Sequence, residues 1–330
     1  MSWERTGGLN AIFVFGAERS GTTFLGSLLG SHSEAVATPE AQFVTHVYRD
    51  VVAPEGRVDL GNAFEKIRHH FRFKLWGLET SLNRLEAYRV RSYTDLVFAL
   101  VSEYAKTAGR PGARVWVDHT PGHLRTAALL QGLFPEARFV HIVRDGRAVV
   151  ASTRALDWGT HSARALMQLW VLRVGYGLAA KSYLTPERCL RVRYEDLIAA
   201  PEETLRRVCD FAGLAFEPAM LGGAGFAVPA YTQKQHRLVG APPDARRVDA
   251  WAETLSPRDV ETCEFVSGDM LSYLGYNTVF GGRARLERPA ERYRAILSDL
   301  LWYRWADLLK RRRKRRRGLE KRGVTPSQGP

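Results

Sequence analysis

Short apolar runs alternate along the chain with segments in which apolar residues recur at helical spacing. Runs rich in β-branched and aromatic residues, typical of buried strands, lie at 11–15, 114–117, 138–143 and 190–192. Helical patterns occupy residues 21–30, 94–106, 121–133, 145–154, 163–183, 201–212 and 256–274. Strands that alternate with helices predict an α/β fold, a doubly wound parallel sheet flanked by helices. Such a sheet binds its ligand at the carboxyl ends of its strands.

Three segments depart from this alternation. Residues 57–91 read irregularly, which predicts a lid or an insertion on the acceptor side of a site. Residues 222–247 are rich in glycine, proline and charge, which indicates a long functional loop. From residue 290 to 309, apolar residues recur at intervals of three and four and predict an amphipathic helix. We therefore expect one domain over residues 1–282, then a C-terminal basic amphipathic helix and a disordered end over residues 283–330.

Composition is that of a globular protein, with 45% hydrophobic and 25% charged residues. No apolar stretch approaches the roughly 18 residues of a membrane span, and the N-terminal run at 11–15 is too short for a signal peptide. The three cysteines lack the spacing of metal ligands and point to a reducing compartment. A cytoplasmic protein is the expectation.

The charge is concentrated at the C-terminus. The basic tail (residues 310–322) carries +9 of the formal +13, and the remaining +4 suits an anionic ligand without requiring one. Three interpretations of the amphipathic helix and its basic tail stay open: docking on the chain's own domain, attachment to an anionic membrane surface, or binding to nucleic acid. Eight consecutive Lys/Arg residues beside such a helix favour the membrane surface, and nucleic acid ranks last.

The stretch "FVFGAERSGTTFLGSLLGSHS", residues 13–33, has the order strand, glycine-bearing turn, helix, which presents backbone N–H groups to an anion. Gly16 and Gly21 have the separation of a P-loop, G-x-x-x-x-G-K-[ST]. Thr22, however, replaces the lysine, and Arg19 lies inside the loop. The fold prediction is accordingly a P-loop-type sheet whose ligand does not require that lysine.

A second stretch, "ARFVHIVRDGRAVVASTR" at residues 137–154, follows the same logic. Its buried strand delivers Arg144 at the carboxyl end, and Ser152 follows a little over two helical turns later. An arginine fork and a hydroxyl at such a point suit a second phosphate. Taken alone, the two residues would more often be a surface ion-pair partner and an ordinary helix serine.

Together, "ERSGTTFLGSLLGSH", "FVHIVRDGRAVVAS" and "RVRYEDLIAAPEETLRRVCDFAGL" resemble the sulfotransferases that use 3′-phosphoadenosine-5′-phosphosulfate (PAPS), and the resemblance runs from about residue 12 to 276. The motif pattern is most similar to the tyrosyl-protein and carbohydrate types. The resemblance implies a group of residues that grip the 5′-phosphosulfate: Arg19, Ser20, Gly21, Thr22 and Thr23. It further implies that Arg144 and Ser152 hold the 3′-phosphate, that Tyr194 lies against the adenosine, and that a loop with Arg246 and Arg247 closes over the nucleotide.

This resemblance accounts for the missing lysine. A nucleoside triphosphate gathers several negative charges around the transferred phosphorus, which a lysine and Mg²⁺ neutralise. A transferred sulfuryl group carries only one charge, so Arg19, hydroxyls and backbone donors suffice without a metal. His119 and His123 have the i, i+4 spacing of metal ligands, but Pro121 and Gly122 interrupt the helix between them and no third ligand suggests itself.

Two residues compete for the role of base. Glu40, 21 residues after Arg19, matches the glutamate that tyrosyl-protein and several carbohydrate sulfotransferases use, although it also reads as an exposed first-turn glutamate after Pro39. In "VDHTPGHL", His119 stands where many relatives have a lysine that stabilises the leaving oxygen. His119 is then a base, a donor to the leaving group or a loop histidine. We favour Glu40 as base and His119 as donor or orienter.

The sequence thus predicts an enzyme that moves the sulfuryl group of PAPS to an acceptor hydroxyl, that of a carbohydrate or glycolipid, without a metal. Two alternatives remain at this point. One is a P-loop kinase-like phosphotransferase, against which the missing lysine argues. The other is a non-catalytic nucleotide-binding protein tethered to an anionic surface, against which Glu40 argues.

Overall fold

The computed structural model describes residues 9–156, 160, 162–226, 240, 244–294 and 296–297. Its described strands form one sheet: β1 (Asn10–Phe15), β2 (Ala35–Ala37), β3 (Val115–Asp118), β4 (Arg138–Val143) and β5 (Cys189–Arg193). Every neighbouring pair is parallel, in the order β2-β3-β1-β4-β5. β1 lies between β3 and β4, so the strand order reverses beside it. The carboxyl end of β1 is therefore the point where a sheet of this kind binds ligands.

Apolar residues cover both faces of the sheet, as a parallel sheet requires. Successive residues of β1 alternate between two buried clusters, with Phe13 and Phe15 in one and Ile12 and Val14 in the other. All four side chains are at most 1% exposed. The near-continuous apolar runs of the sequence follow from this two-sided burial, and the α/β prediction is confirmed.

The chain divides into two compact units, one formed from residues up to 145 and 172–250, the other from residues 146–171 and those after 250. The first unit contains the sheet and the helices α1 (Thr22–Gly30), α2 (Phe43–Val51), α3 (Leu60–His69), α4 (Phe71–Lys74), α5 (Leu82–Leu85), α6 (Tyr93–Thr107), α7 (Ala127–Leu133), α10 (Tyr194–Ala199), α11 (Pro201–Ala212) and α12 (Arg246–Asp249). The second contains α8 (Gly146–Arg154), α13 (Trp251–Thr254), α14 (Pro257–Ser267) and α15 (Met270–Tyr273). Helix α9 (Ala163–Tyr183) begins in the second unit and ends in the first.

The second unit is organised around a buried ion pair. Arg147 Nη1 donates to Glu264 Oε1 at 2.8 Å, and both side chains are almost wholly buried. Glu264 also accepts hydrogen bonds from the backbone N–H groups of Val279, Phe280 and Gly281, at 2.8, 2.7 and 3.2 Å. One carboxylate therefore fastens the segment after α15 to helices α8 and α14.

The helices predicted at 21–30, 94–106, 145–154, 163–183 and 201–212 correspond to α1, α6, α8, α9 and α11. The pattern at 121–133 contains a 3₁₀ helix (Pro121–Arg125) followed by α7, and that at 256–274 contains α14 and α15. Helices α2, α10, α12 and α13 were not predicted.

Residues 57–91 show no regular pattern in the sequence, yet α3, α4 and α5 lie there, with a 3₁₀ turn at Glu86–Tyr88. Asp59 caps α3 by accepting from Asn62 N at 3.0 Å, and Phe64 and Ile67 bury its apolar face. α4 and α5 have four residues each, too few to display a period. The three-residue β2 was missed for the same reason.

Several predictions fall on residues outside the described part of the chain. These are most of the loop at 222–247, of which residues 227–239 and 241–243 are not described, and the tail from residue 298 onward. The boundary at residue 282 likewise stays a prediction. None of the described helices is both long enough and apolar enough to cross a membrane.

Candidate active site

Each strand of the sheet leads into a turn or helix start that contains one of the residues singled out from the sequence. The Arg19 loop (residues 16–21) follows β1, Glu40 follows β2, His119 follows β3, Arg144 follows β4 and Tyr194 follows β5. Because all strands are parallel, these residues emerge at the same edge of the sheet. The topology alone therefore gathers the candidate residues at the ligand-binding edge.

The Arg19 loop has a backbone that its sequence explains. Gly21 has φ 98°, a left-handed conformation, and a Cβ atom there would lie 2.6 Å from the Tyr194 ring. A Cβ atom at Gly16 would lie 2.3 Å from the backbone oxygen of Ile142. Arg19 itself has φ 70°, which is uncommon for a residue with a side chain and typical of functional loops. Both glycines are required by close packing.

The N-terminus of α1 is available to an anion. Gly21 is its N-cap, no side chain caps it, and its first turn contains no acidic residue. Thr22 and Thr23 are its first two residues. The Ser20 hydroxyl beside them is completely buried and has no hydrogen-bond partner among the described residues. A buried hydroxyl of this kind, next to an uncapped helix N-terminus, fits a phosphate or sulfate group.

Three arginines converge on the loop. Arg144 donates from Nη1 to the backbone oxygen of Arg19 at 3.1 Å and from Nη2 to that of Arg247 at 3.0 Å. Burial, together with the nearby charges of Arg144 and Arg247, lowers the pKa of the Arg19 guanidinium. Like charges held together destabilise one another, and an anion bound between them would relieve this repulsion.

Tyr194 forms one wall of this region. It is 1% exposed, and the Arg144 guanidinium lies 4.4 Å from the centre of its ring. Burial raises the pKa of the Tyr194 hydroxyl, which Arg144 and Arg247 partly oppose. That hydroxyl has no hydrogen-bond partner in the described part of the chain. The neighbouring Glu195 accepts from the backbone N–H of Asp145 at 3.0 Å and so joins the ends of β4 and β5.

Ser152 and Arg246 are predicted donor-site residues that lie in helices and not directly after a strand. Ser152 lies on α8, in the second unit, so its pairing with Arg144 stays a prediction. Arg246 lies on α12, is exposed, and donates from Nε to Asp244 Oδ1 at 3.0 Å. Of the two arginines in that helix, only Arg247 contacts Arg144 in a described hydrogen bond.

Glu40 is a partly exposed carboxylate with two polar neighbours. Gln42 Nε2 donates to its Oε2 at 2.5 Å, and Arg72 Nη2 lies 3.3 Å from the same oxygen. Arg72 belongs to α4, in the segment whose helices the sequence did not reveal. This contact places α4 beside Glu40, while an acceptor-side role of residues 57–91 stays a prediction.

His119 is a buried residue directly after β3. The centres of the His119 and Phe226 rings are 4.7 Å apart. A Cβ atom built at Gly26 would lie 2.7 Å from the Cβ of His119. Burial lowers the pKa of His119, while the carboxylates of Asp118 and Glu40 oppose that shift. Neither ring nitrogen makes a hydrogen bond of acceptable geometry with a described residue. His119 is thus a neutral imidazole near pH 7.

His123 has a partner other than a metal. Its Nδ1 lies 2.6 Å from Oδ2 of the buried Asp118. Within the described ranges, no group of three or more histidine, cysteine, aspartate or glutamate residues has the arrangement of a metal site. The i, i+4 histidine spacing is therefore explained by an acid–histidine pair.

Sequence reasoning missed some residues of this region. Arg173, on α9, lies with Nη2 3.0 Å from Glu18 in the Arg19 loop. Arg72 and Gln42 approach Glu40, and Asp118 approaches His123. Asp118 lies in a motif that also contains His119, and Gln42 lies two residues after Glu40, so both were within reach of a local signal. Arg72 and Arg173 come from helices that carry no motif.

The chain is similar to known sulfotransferases in sequence and in fold. Residues 11–218 match the model of the sulfotransferase family. The chain is 27% identical to nodulation protein NoeE of Sinorhizobium fredii over 90% of this chain and 73% of that one. It is 26% identical to the protein-tyrosine sulfotransferase of Drosophila melanogaster over 81% of this chain, but spans only 51% of that enzyme.

A solved structure of similar fold is the sulfotransferase domain from the curacin biosynthetic pathway. The TM-score is 0.53, with 22% identity over 82% of this chain and 99% of that one. The family match argues against the kinase-like and non-catalytic alternatives. It confirms the resemblance to sulfotransferases that the sequence motifs indicated. The chain belongs to the sulfotransferase family and is a PAPS-dependent enzyme.

Proposed function

We propose that the enzyme transfers the sulfuryl group of PAPS to a hydroxyl of a carbohydrate or glycolipid, with Glu40 as the base. The acceptor oxygen forms a bond to sulfur as the bond from sulfur to the bridging phosphate oxygen breaks. The proton of the hydroxyl goes to Glu40, and adenosine 3′,5′-bisphosphate leaves. The observation that carries the proposal is the partly exposed Glu40 carboxylate, at the same sheet edge as the anion-binding features of the Arg19 loop.

Donor binding is assigned to the residues around the Arg19 loop. The uncapped start of α1, the buried Ser20 hydroxyl, Thr22, Thr23 and Arg19 would hold the 5′-phosphosulfate. Arg144 would hold the 3′-phosphate together with Ser152, and Tyr194 would lie against the adenosine. The convergence of Arg144 and Arg247 on Arg19 supports this assignment, since three positive charges there suit a nucleotide with two phosphate groups.

His119 is assigned a supporting role. Because its pKa is lowered by burial, the ring is neutral near pH 7 and can donate one N–H without carrying a charge. We assign it to the oxygen from which sulfur departs, where a hydrogen bond stabilises developing negative charge. Its burial against Gly26 fixes the ring for this task.

The acceptor assignment rests on the polarity around Glu40. Gln42 and Arg72 contact the carboxylate, and His70 Nδ1 accepts from Arg72 N at 3.1 Å. These groups can donate or accept several hydrogen bonds, which suits an acceptor with many hydroxyls. A peptide tyrosine is the second candidate, because several similar proteins are protein-tyrosine sulfotransferases.

The test is sulfuryl transfer from labelled PAPS to a panel of oligosaccharides, glycolipids and tyrosine peptides. We expect label on the first two classes and roughly 10²–10⁴-fold slower turnover for Glu40→Gln, with unchanged binding of adenosine 3′,5′-bisphosphate. Label on peptides alone would select the second candidate. If Glu40→Gln stayed active while His119→Ala lost turnover, the base would be His119.

We also propose that the amphipathic helix and basic tail hold the enzyme at an anionic membrane surface. The proposal rests on their sequence, since residues 298–330 lie outside the described part of the chain. Each basic residue near such a surface contributes about 1 kcal/mol. Co-sedimentation with anionic vesicles that is lost in high salt, or on truncation after residue 282, is expected. Equal sedimentation of both proteins would contradict it.

A further inference from the structure

The Glu40 turn (residues 38–41) is fastened to β3 and the residues just after it. Thr38 N donates to Val117 O at 3.3 Å, and Trp116 Nε1 donates to Thr38 Oγ1 at 2.9 Å. At the other end of the turn, Ala41 N donates to Thr120 Oγ1 at 2.8 Å. Thr38, Ala41 and Thr120 are completely buried. Glu40 is thus the partly exposed residue of an otherwise fixed turn.

The Thr120 hydroxyl is itself oriented by a buried carboxylate. Thr120 Oγ1 donates to Asp118 Oδ1 at 2.7 Å, and Thr120 N donates to the same oxygen at 3.2 Å. The hydroxyl hydrogen is therefore directed at Asp118, which leaves a lone pair of the oxygen for the N–H of Ala41. The direction of this hydroxyl is set by its surroundings.

The second oxygen of Asp118 lies beside a buried histidine. His123 Nδ1 lies 2.6 Å from Asp118 Oδ2, and both side chains are buried. Burial alone would raise the pKa of Asp118, but His123 and the bonds from Thr120 lower it overall. A lowered pKa favours the ionised carboxylate, which accepts the hydrogen bonds from Thr120.

We propose that Thr120, oriented by Asp118 and His123, is the positioning residue that aims the Glu40 carboxylate at the acceptor hydroxyl. The inference rests on the proposed role of Glu40 as base. Thr120 acts through the Ala41 N–H, one residue beyond Glu40, so it sets the direction of the turn. If its hydroxyl were removed, the buried N–H would need another partner, and the turn would shift to find one. A shift of about 1 Å in a reacting group costs up to about 10²-fold in rate.

A merely structural role makes a different prediction. If Thr120 only joined β2 to β3, its loss would lower stability and donor binding together and would act independently of Glu40. A positioning role lowers turnover through Glu40 alone. Turnover, donor binding and the dependence of the loss on Glu40 separate the two.

The matched pair is Thr120→Val, which keeps the shape and removes the hydroxyl, and Thr120→Ser, which keeps the hydroxyl. We expect Thr120→Val to lower kcat about 10- to 100-fold and Thr120→Ser to stay within about threefold. Calorimetry should give an affinity for adenosine 3′,5′-bisphosphate within about twofold of the parent for both. Loss of nucleotide binding along with turnover in Thr120→Val, or full turnover in that variant, would overturn the proposal.

The same pair is then made in the Glu40→Gln background. Because Thr120 acts through Glu40, adding Thr120→Val to Glu40→Gln should lower kcat by less than about threefold. An equal loss in both backgrounds would overturn the positioning role and leave the base assignment standing. Full activity of Glu40→Gln alone would overturn the base assignment itself and, with it, this inference. The two failures are therefore distinguishable.

Discussion

The guanidinium of Arg144 lies 4.4 Å from the centre of the Tyr194 ring, so residues that directly follow two neighbouring strands, β4 and β5, are in contact. A cation over an aromatic face is attracted to it, more strongly where water is excluded. The same guanidinium donates to the backbone of Arg19 and of Arg247. Arg144 therefore joins segments that follow β1 and β5 to the short helix α12.

Arg144→Ala should weaken the binding of adenosine 3′,5′-bisphosphate at least tenfold. Losing a charged bidentate contact costs on the order of 1.5–3 kcal/mol, and the variant also loses the bonds to Arg19 and Arg247. Calorimetry without added metal measures this, with 5′-AMP as a second ligand that should bind the parent poorly. Arg206→Ala, on the exposed face of α11, is the matched control and should not change affinity. Equal parent affinities for the two nucleotides would contradict a 3′-phosphate role for Arg144.

Gly26→Ala and Gly132→Ala form a second matched pair, since both glycines lie in helices. A methyl group at Gly26 would lie 2.7 Å from Cβ of His119, whereas one at Gly132 meets no atom within 4 Å. Overpacking costs about 1–3 kcal/mol, and alanine otherwise gains up to about 1 kcal/mol over glycine in a helix. We expect a lower Tm and lower turnover for Gly26→Ala, and an unchanged or slightly higher Tm for Gly132→Ala. Identical melting curves would show that His119 is free to move.

The features that the sequence predicted correctly depend on neighbouring residues, whereas those it missed depend on residues far apart in the chain. Four strands, β1, β3, β4 and β5, and the Arg19 loop were predictable because their residues are contiguous and each has its own pattern. The bond from Ala41 to Thr120 spans 79 residues, and the approach of Arg247 to Arg144 spans 103. Neither has a local signal, since each depends on how strands and helices pack. Short helices such as α4 were missed because four residues complete barely one turn.

Acid should destabilise the fold through buried histidines, most clearly His141. This ring is completely buried beside Gly177, and burial, followed by Arg191 and Lys181, lowers its pKa to about 3. The unfolded chain binds the proton near pH 6.5 and the folded chain only near pH 3. The contribution of His141 to the free energy of unfolding is therefore fully present above about pH 6.5. It is lost as the pH drops towards 3, by up to about 1.4 kcal/mol per pH unit.

Chemical unfolding between pH 7 and pH 4 measures that slope, and His141→Leu should make it shallower. His119 contributes in the same direction, because burial lowers its pKa as well. His69→Leu, at an exposed histidine of α3, is the matched control. An identical slope for the parent and His141→Leu would mean that this ring takes up its proton without unfolding.

Removing the charge of Glu264 should strongly destabilise the second unit. Glu264→Gln leaves the buried Arg147 without its counter-charge and removes an acceptor from the backbone at residues 279–281. Breaking a buried pair from one side costs about 3–5 kcal/mol. Glu202→Gln breaks an exposed pair with Arg206, 2.7 Å apart, and should cost less than about 1 kcal/mol. Similar losses in the two variants, measured by denaturant unfolding, would argue that the Arg147 pair is solvated.

The strand order has an evolutionary consequence. Under the proposed assignment, β1, β4 and β5 serve the nucleotide, while β2 serves the acceptor, and helices α2 to α6 lie on the connection between β2 and β3. Insertions and substitutions in that connection can accumulate without disturbing the strands that end at Arg144 and Tyr194. Proteins that descend from a common ancestor with this fold can therefore diverge in the acceptor that they sulfate. The residues that bind the nucleotide can stay unchanged while they do so.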